Sequence, residues 1–179
     1  MSLTFTSDDV PDGLKRKRIL MVTNTPSLRE LHAAFLRSKG FDYVFEAGDG
    51  LQAIDMLRVQ PIDLIIADWQ LDEVSGLDLL HTVRGSVALS NMPFVMLSTK
   101  KDLHKIQSSI DSGATDYLIK PFKTAQLGMK IVMALATSSY DAPRVIREEL
   151  HIRSTMDIPV LTDQVSLLQR ANGASVEMN

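Results

Sequence analysis

The chain has 179 residues, 45% of them hydrophobic and 23% charged, with a formal net charge of −3; this is the profile of a soluble globular protein with one ordinary domain plus an appendage, or two very small domains. That charge supplies no large basic field, so bulk electrostatics do not favour nonspecific nucleic-acid binding. The absence of Cys excludes disulfides and thiolate chemistry, no apolar run approaches the ~20 residues of a membrane span, and the acidic start MSLTFTSDDVPDG does not read as a signal peptide, so a cytoplasmic protein with neither nucleic-acid nor membrane partners is expected.

Residues 1–14 read as a disordered lead-in, and the first strand, Ile19 to Val22, follows KRKR and ends at Thr23–Asn24. The next segment has Thr25 placed to cap a helix, Pro26 at its first position and Gly40 as its stop, with Leu28, Leu31 and Phe35 on the inner face. YVFEA (43–47) is a second strand, and a short helix with Ala53, Ile54 and Leu57 inward stops at Pro61. IDLIIAD (62–68) is a third strand, unbroken in its apolar character from Leu64 until Asp68, as expected of a strand buried on both faces. A helix from Gly76, a strand at 93–99, a helix with Leu103, Ile106 and Ile110 inward, a strand at 116–120 and a helix with Leu127, Ile131, Ala134 and Leu135 inward complete the unit.

Five strands alternating with five helices predict an α/β fold, a doubly wound parallel sheet over residues 15–137. The extension 138–179 is too short for a core of its own. It has room for two short helices near 143–153 and 162–171, with Val145, Ile146 and Leu150 available to dock, and reads equally as a partly ordered tail.

Four predicted strands end in polar residues: Thr23–Asn24, Asp68, Ser98–Thr99 and Lys120–Pro121. Taken singly, these read as a loop acid, a strand-end hydroxyl and a solvated lysine. Taken together they would lie along one sheet edge, where open α/β sheets bind ligands.

At these residues the chain resembles the CheY-like receiver domains of two-component response regulators, through ILMVTN, DLIIADWQLDEVSG, FVMLSTK and GATDYLIKPF, over roughly residues 17–137. The resemblance implies a flavodoxin-like sheet of order 2-1-3-4-5 and phosphoryl transfer from a histidine kinase or phosphotransfer protein onto Asp68. Ser98 would take the switch-hydroxyl position, Tyr117 the aromatic switch and Lys120 the phosphate-contacting lysine, with a cis bond before Pro121. It implies signalling through the face of the fourth helix, fifth strand and fifth helix, here with His104, Lys105, Tyr117, Lys123 and Gln126, to a downstream protein target or a second copy. Carboxylate attack on phosphorus accumulates negative charge that positioned cations stabilise.

The chain departs from the family after strand one, where Thr23 and Asn24 replace an acidic pair that holds Mg²⁺. Asp68, a carbonyl of Asn24 and the backbone of Gln70 could still offer oxygen ligands, but Asp68 alone brings charge, so Mg²⁺ is expected to be weakly held or absent. Thr99 stands where the family has Ala or Gly, and Asp72 and Glu73 add acids nearby. The expected function is a single-domain, non-enzymatic response regulator in a phosphorelay; the alternative is a pseudo-receiver that binds its partner without phosphorylation.

Two other features carry competing readings. GDGLQA (48–53) has the outline of a dinucleotide fingerprint, but its strand is not the first of the unit and Asp49 would face a pyrophosphate. The histidines (His32, His81, His104, His151) have no metal-ligand spacing and read as exposed helix residues.

Overall fold

The computed structural model describes residues 4–99, 103–143, 150 and 152. Strands β1 (Arg18–Val22), β2 (Tyr43–Ala47), β3 (Leu64–Asp68), β4 (Phe94–Thr99) and β5 (Asp116–Lys120) form one parallel sheet in the order β2-β1-β3-β4-β5. Helices α1 (Pro26–Ser38), α2 (Gly50–Val59), α3 (Gly76–Gly85), α4 (Leu103–Asp111) and α5 (Thr124–Thr137) provide the crossovers.

Successive strand side chains point to opposite faces, and the core divides accordingly. Ile19, Met21, Leu64, Ile66, Val95 and Leu97 pack with α1 and α5. Leu20, Val22, Ile65, Ala67, Phe94 and Met96 pack with α2 and α3. All five residues of β3 are buried, which is why that stretch shows no alternation. Asp49 caps α2 by accepting from the Gln52 amide at 2.7 Å, and Ser75 caps α3 by accepting from the Asp78 amide at 3.1 Å. Thr25 precedes α1 without a side-chain cap, and Gly40 ends it at φ 93°, a conformation favouring glycine.

Two helix faces differ from the sequence expectation. In α1 the buried residues are His32, Ala33 and Leu36, whereas Leu28 and Leu31 are exposed. Apolar residues spread over more than half of this helix, and small Ala33 faces the sheet. In α4 only Ile106, with Ser109, is buried; Leu103 and Ile110 are exposed, because this short helix covers the β4–β5 margin with a narrow stripe.

The expected disordered lead-in is also corrected over residues 4–14. It carries a 3-10 turn, Ser7–Asp9, and a single helical turn, Asp12–Lys15. Phe5 and Val10 are buried, and Phe5 fills the space that Gly128 leaves on α5, where a Cβ would lie 2.5 Å from the ring. Composition concealed this because only two anchors hold the segment.

Beyond α5, Leu150 is buried in the α2–α3 cluster and its carbonyl accepts from Arg58 at 3.2 Å. The two helices expected near 143–153 and 162–171 fall almost wholly outside the described residues, as do Val145 and Ile146. Among the described residues no helix is long and apolar enough to cross a membrane.

Candidate functional site

Parallel pairing brings four strand ends into line, with Val22 opposite Ala67, Asp68 opposite Leu97 and Thr99 opposite Lys120. The edge opens into a cleft of about 200 Å³ lined by Asn24, Asp68, Gln70, Ser98, Thr99 and Lys120, among others. It lies where the connections from β1 and β3 leave in opposite directions, the usual ligand position in such sheets. Tyr117 stands outside this lining, half-buried against the α2–α3 cluster with the Lys130 ammonium 5.9 Å from its ring centre. Pro121 follows Lys120 through a cis peptide bond and lines the neighbouring groove.

The Asp68 carboxylate is buried and held from two sides. The Thr23 hydroxyl donates to Oδ2 at 2.5 Å, and the Lys120 ammonium lies 2.5 Å from Oδ1 as an ion pair. Apart from that ion pair Oδ1 has no partner among the described residues, and the buried Ser98 hydroxyl has no hydrogen-bond partner there. Behind Thr23, Arg29 donates to its carbonyl at 2.6 Å, which fixes the turn out of β1. Gly76 packs directly on the Asp68 carbonyl and donates its amide to the Trp69 carbonyl at 3.0 Å.

These donors do not fit a tightly held Mg²⁺. Asp68 is the one carboxylate among the described lining residues, and one of its oxygens already accepts from Thr23. No group of three His, Cys, Asp or Glu that could hold a metal ion occurs among the described residues. Asn24 and the Gln70 backbone can contribute oxygens without charge, and a hard divalent ion selects for anionic oxygen ligands.

Sequence reasoning missed His32, which was expected to be exposed. It is 7% exposed, its ring stacks on Phe122 at 5.3 Å, and with Lys120 it lines the groove beside the cleft. A lone histidine on an amphipathic helix carries no signal that marks it as buried. His81 is half-buried, with Nε2 2.8 Å from the Ser112 hydroxyl, His104 is exposed, and His151 lies outside the described residues.

Burial, and then the charge of Lys120, hold the His32 pKa below its ordinary value, with Asp68 opposing. A folded-state value below the unfolded one means that the folded protein prefers the neutral ring. The associated stability is complete above the unfolded pKa of about 6.5 and is lost as pH falls below it. Urea midpoints of the wild type should therefore fall more steeply between pH 7 and pH 5 than those of His32→Phe; parallel slopes would contradict this.

The dinucleotide outline at 48–53 has a packing explanation. Asp49 is the α2 cap, and Gly50 approaches Val74 so closely that a Cβ would lie 2.2 Å from its carbonyl oxygen. The basic run 15–18 is likewise structural: Lys17 and Arg18 both reach buried Asp63, Lys17 at 3.5 Å, and Arg18 through its side chain at 2.9 Å.

Comparison with known proteins agrees with this geometry. The chain is 32% identical over 117 residues to the chemotaxis protein CheY-3 of Vibrio cholerae, covering 65% of this chain and 90% of that protein. It is 38% identical over 116 residues to the DNA-binding response regulator MtrA of Mycolicibacterium smegmatis, covering 65% of this chain but 49% of that one. Among solved structures, the receiver domain of NtrX from Brucella abortus superposes with a TM-score of 0.62 at 30% identity, covering 67% of this chain and 99% of that one. The receiver domain of the sensor histidine kinase PA1611 from Pseudomonas aeruginosa, whose active-site cleft coordinates a magnesium ion, superposes with a TM-score of 0.62 at 28% identity, over 68% of this chain and 99% of that one. The family model for the response regulator receiver domain matches residues 19–132, and with this sheet order and this strand-end cleft the chain belongs to the response regulator receiver family of two-component signalling.

Proposed function

We propose that this receiver accepts a phosphoryl group on Asp68 from a histidine kinase or phosphotransfer protein and passes the signal on by binding a protein. The observation that supports it best is the convergence of a buried carboxylate, a lysine and an unpartnered hydroxyl on one cleft. A carboxylate oxygen of Asp68 forms the O–P bond as the N–P bond of the donor phosphohistidine breaks. The bonding pair stays on the imidazole nitrogen, which takes a proton from water. Negative charge then lies on the phosphoryl oxygens. Lys120, paired with the carboxylate beforehand, follows that charge, and the Ser98 hydroxyl gains the acceptor it lacks.

Output falls to the face of α4, β5 and α5, where His104, Lys123 and Gln126 are exposed, Lys105 is partly exposed and Tyr117 is half-buried. This mildly basic surface with one aromatic suits an acidic or amphipathic segment of a target, or a second copy. Rim charges of this kind set association rate more than affinity.

Incubation with acetyl phosphate, with Mg²⁺ and separately with EDTA, followed by intact-mass measurement, tests the reading. The wild type should gain one phosphoryl group and Asp68→Asn none. Lys120→Met should react about a hundredfold more slowly, the usual cost of removing one stabiliser of developing charge. No gain by the wild type in either buffer would leave phosphorylation-independent binding in its place.

A further inference from the structure

Two partners hold the Asp68 carboxylate, and they differ in how readily they can let go. On Oδ2 the partner is the Thr23 hydroxyl, at 2.5 Å. Thr23 is 2% exposed, and its main chain is tied on both sides. Its amide donates to the Ala47 carbonyl at 3.1 Å, and its carbonyl accepts from Arg29 at 2.6 Å. The hydroxyl oxygen accepts from the Thr25 amide at 3.4 Å, which turns its own proton toward Asp68. A branched side chain so enclosed has little rotamer freedom. On Oδ1 the partner is the Lys120 ammonium, which is partly exposed and carried on a flexible stem.

We infer that Thr23 is a positioning residue that assigns the nucleophile: its hydroxyl keeps Oδ2 as an acceptor, so that Oδ1 attacks phosphorus, and no divalent ion is needed to orient the carboxylate. Attack by Oδ2 would strip a buried hydroxyl of its acceptor, which costs free energy. Attack by Oδ1 leaves that bond intact. Oδ1 is buried in the resting state, and it is uncovered as Lys120 swings toward the oxygens of the incoming phosphoryl group. As the Oδ1–P bond forms, the bond from phosphorus to the donor breaks and its electron pair leaves with the donor. Oδ2 becomes the carbonyl oxygen of the acyl phosphate and still accepts from Thr23. A neutral hydroxyl forms this bond without an acidic pair, so the loss of those acids does not leave the carboxylate unoriented. The inference rests on the reading of Asp68 as the phosphoacceptor.

The experiment follows phosphoryl uptake from acetyl phosphate by intact mass, in EDTA and in Mg²⁺, for the full chain and two variants. Thr23→Val keeps the shape and removes the hydroxyl, whereas Thr23→Ser keeps the hydroxyl and removes a methyl group. Melting curves select a temperature at which all three proteins are folded. Wild-type maximal rates in the two buffers should agree within about threefold, because the hydroxyl and not an ion orients the attacking group. In EDTA, Thr23→Val should lower the maximal rate by about tenfold or more, and Thr23→Ser should stay within about threefold of the wild type. A packing role predicts the reverse order of the two variants. Thr23 stands behind the cleft and not in its lining, so half-saturating acetyl phosphate should shift by less than about twofold in either variant.

Equal maximal rates for Thr23→Val and the wild type, or a slower Thr23→Ser than Thr23→Val, would overturn the inference and leave Asp68 standing as phosphoacceptor. Wild-type uptake that requires Mg²⁺ would do the same, since an ion would then orient the carboxylate. No uptake by the wild type in either buffer would remove the phosphoacceptor and the role of Thr23 together.

Discussion

Gly76→Ala should destabilise the fold by about 4 kcal/mol, beyond the usual range of about 1–3 kcal/mol for overpacking. A methyl carbon at position 76 would lie 2.1 Å from the Asp68 carbonyl oxygen and 3.0 Å from its carbonyl carbon. Both atoms are main chain in a fully buried strand, so neither can turn aside as a side-chain tip would. The strand and the start of α3 must separate, which stretches the 3.0 Å bond from the Gly76 amide to the Trp69 carbonyl. On the other side the loop is clasped by Gly50, whose Cα hydrogen faces the Val74 carbonyl with no room for a methyl group, so the strain cannot dissipate there. At about 2–4 °C per kcal/mol for a chain of this size, the melting temperature should fall by about 8–16 °C. Because the displaced residue is Asp68, the folded variant at low temperature should also show a shifted Trp69 emission. A loss below about 1 kcal/mol would show that the strand and helix are free to part.

The glycine could not have been read in this way from the sequence, since Gly76 looks there like the start of a helix. What was legible were features with a period or an end: the continuous apolar run of β3, the polar residues closing β1, β3, β4 and β5, and the inner faces of α2 and α5, where Ala53, Ile54 and Leu57 and then Leu127, Ile131, Ala134 and Leu135 are buried. The strand-end residues converge because parallel register makes their ends coincide, a consequence of topology. Pairings across long sequence separations were not legible. The Thr23 hydroxyl meets Asp68 across 45 residues, and nothing local distinguishes that threonine from a solvated strand end. Asp63 is hidden for the same reason: nothing near it at the start of the third predicted strand marks it as partnered, yet it is buried and accepts from the Arg18 amide at 2.8 Å. In α1 the helical period was present but not unique, and the choice between a Leu28–Leu31 face and an Ala33–Leu36 face depended on how closely the helix approaches the sheet.

Restoring the acids, Thr23→Asp with Asn24→Asp, should strengthen Mg²⁺ binding at least tenfold. Thr23 touches Asp68, and Asn24 lines the cleft, so both new carboxylates would stand within reach of the same ion. A unit charge pair at 4 Å is worth about 4 kcal/mol at an effective dielectric of about 20, before desolvation. A tenfold change needs only about 1.4 kcal/mol, so the gain survives a large desolvation penalty. In EDTA the sign reverses, because a carboxylate at position 23 replaces a hydrogen-bond donor with a like charge against Asp68, and like charges crowded together disfavour ionisation of both. The double variant should therefore melt lower than the wild type in EDTA and recover as Mg²⁺ is added, since a ligand bound by the folded state alone stabilises it in proportion to its occupancy. The wild type should show little such recovery, its Asp68 being neutralised by Thr23 and Lys120 without help. Titrating Mg²⁺ against Trp69 fluorescence and melting temperature in both proteins decides the matter. Tight Mg²⁺ binding by the wild type, or no gain in the double variant, would show that charge count does not govern this cleft.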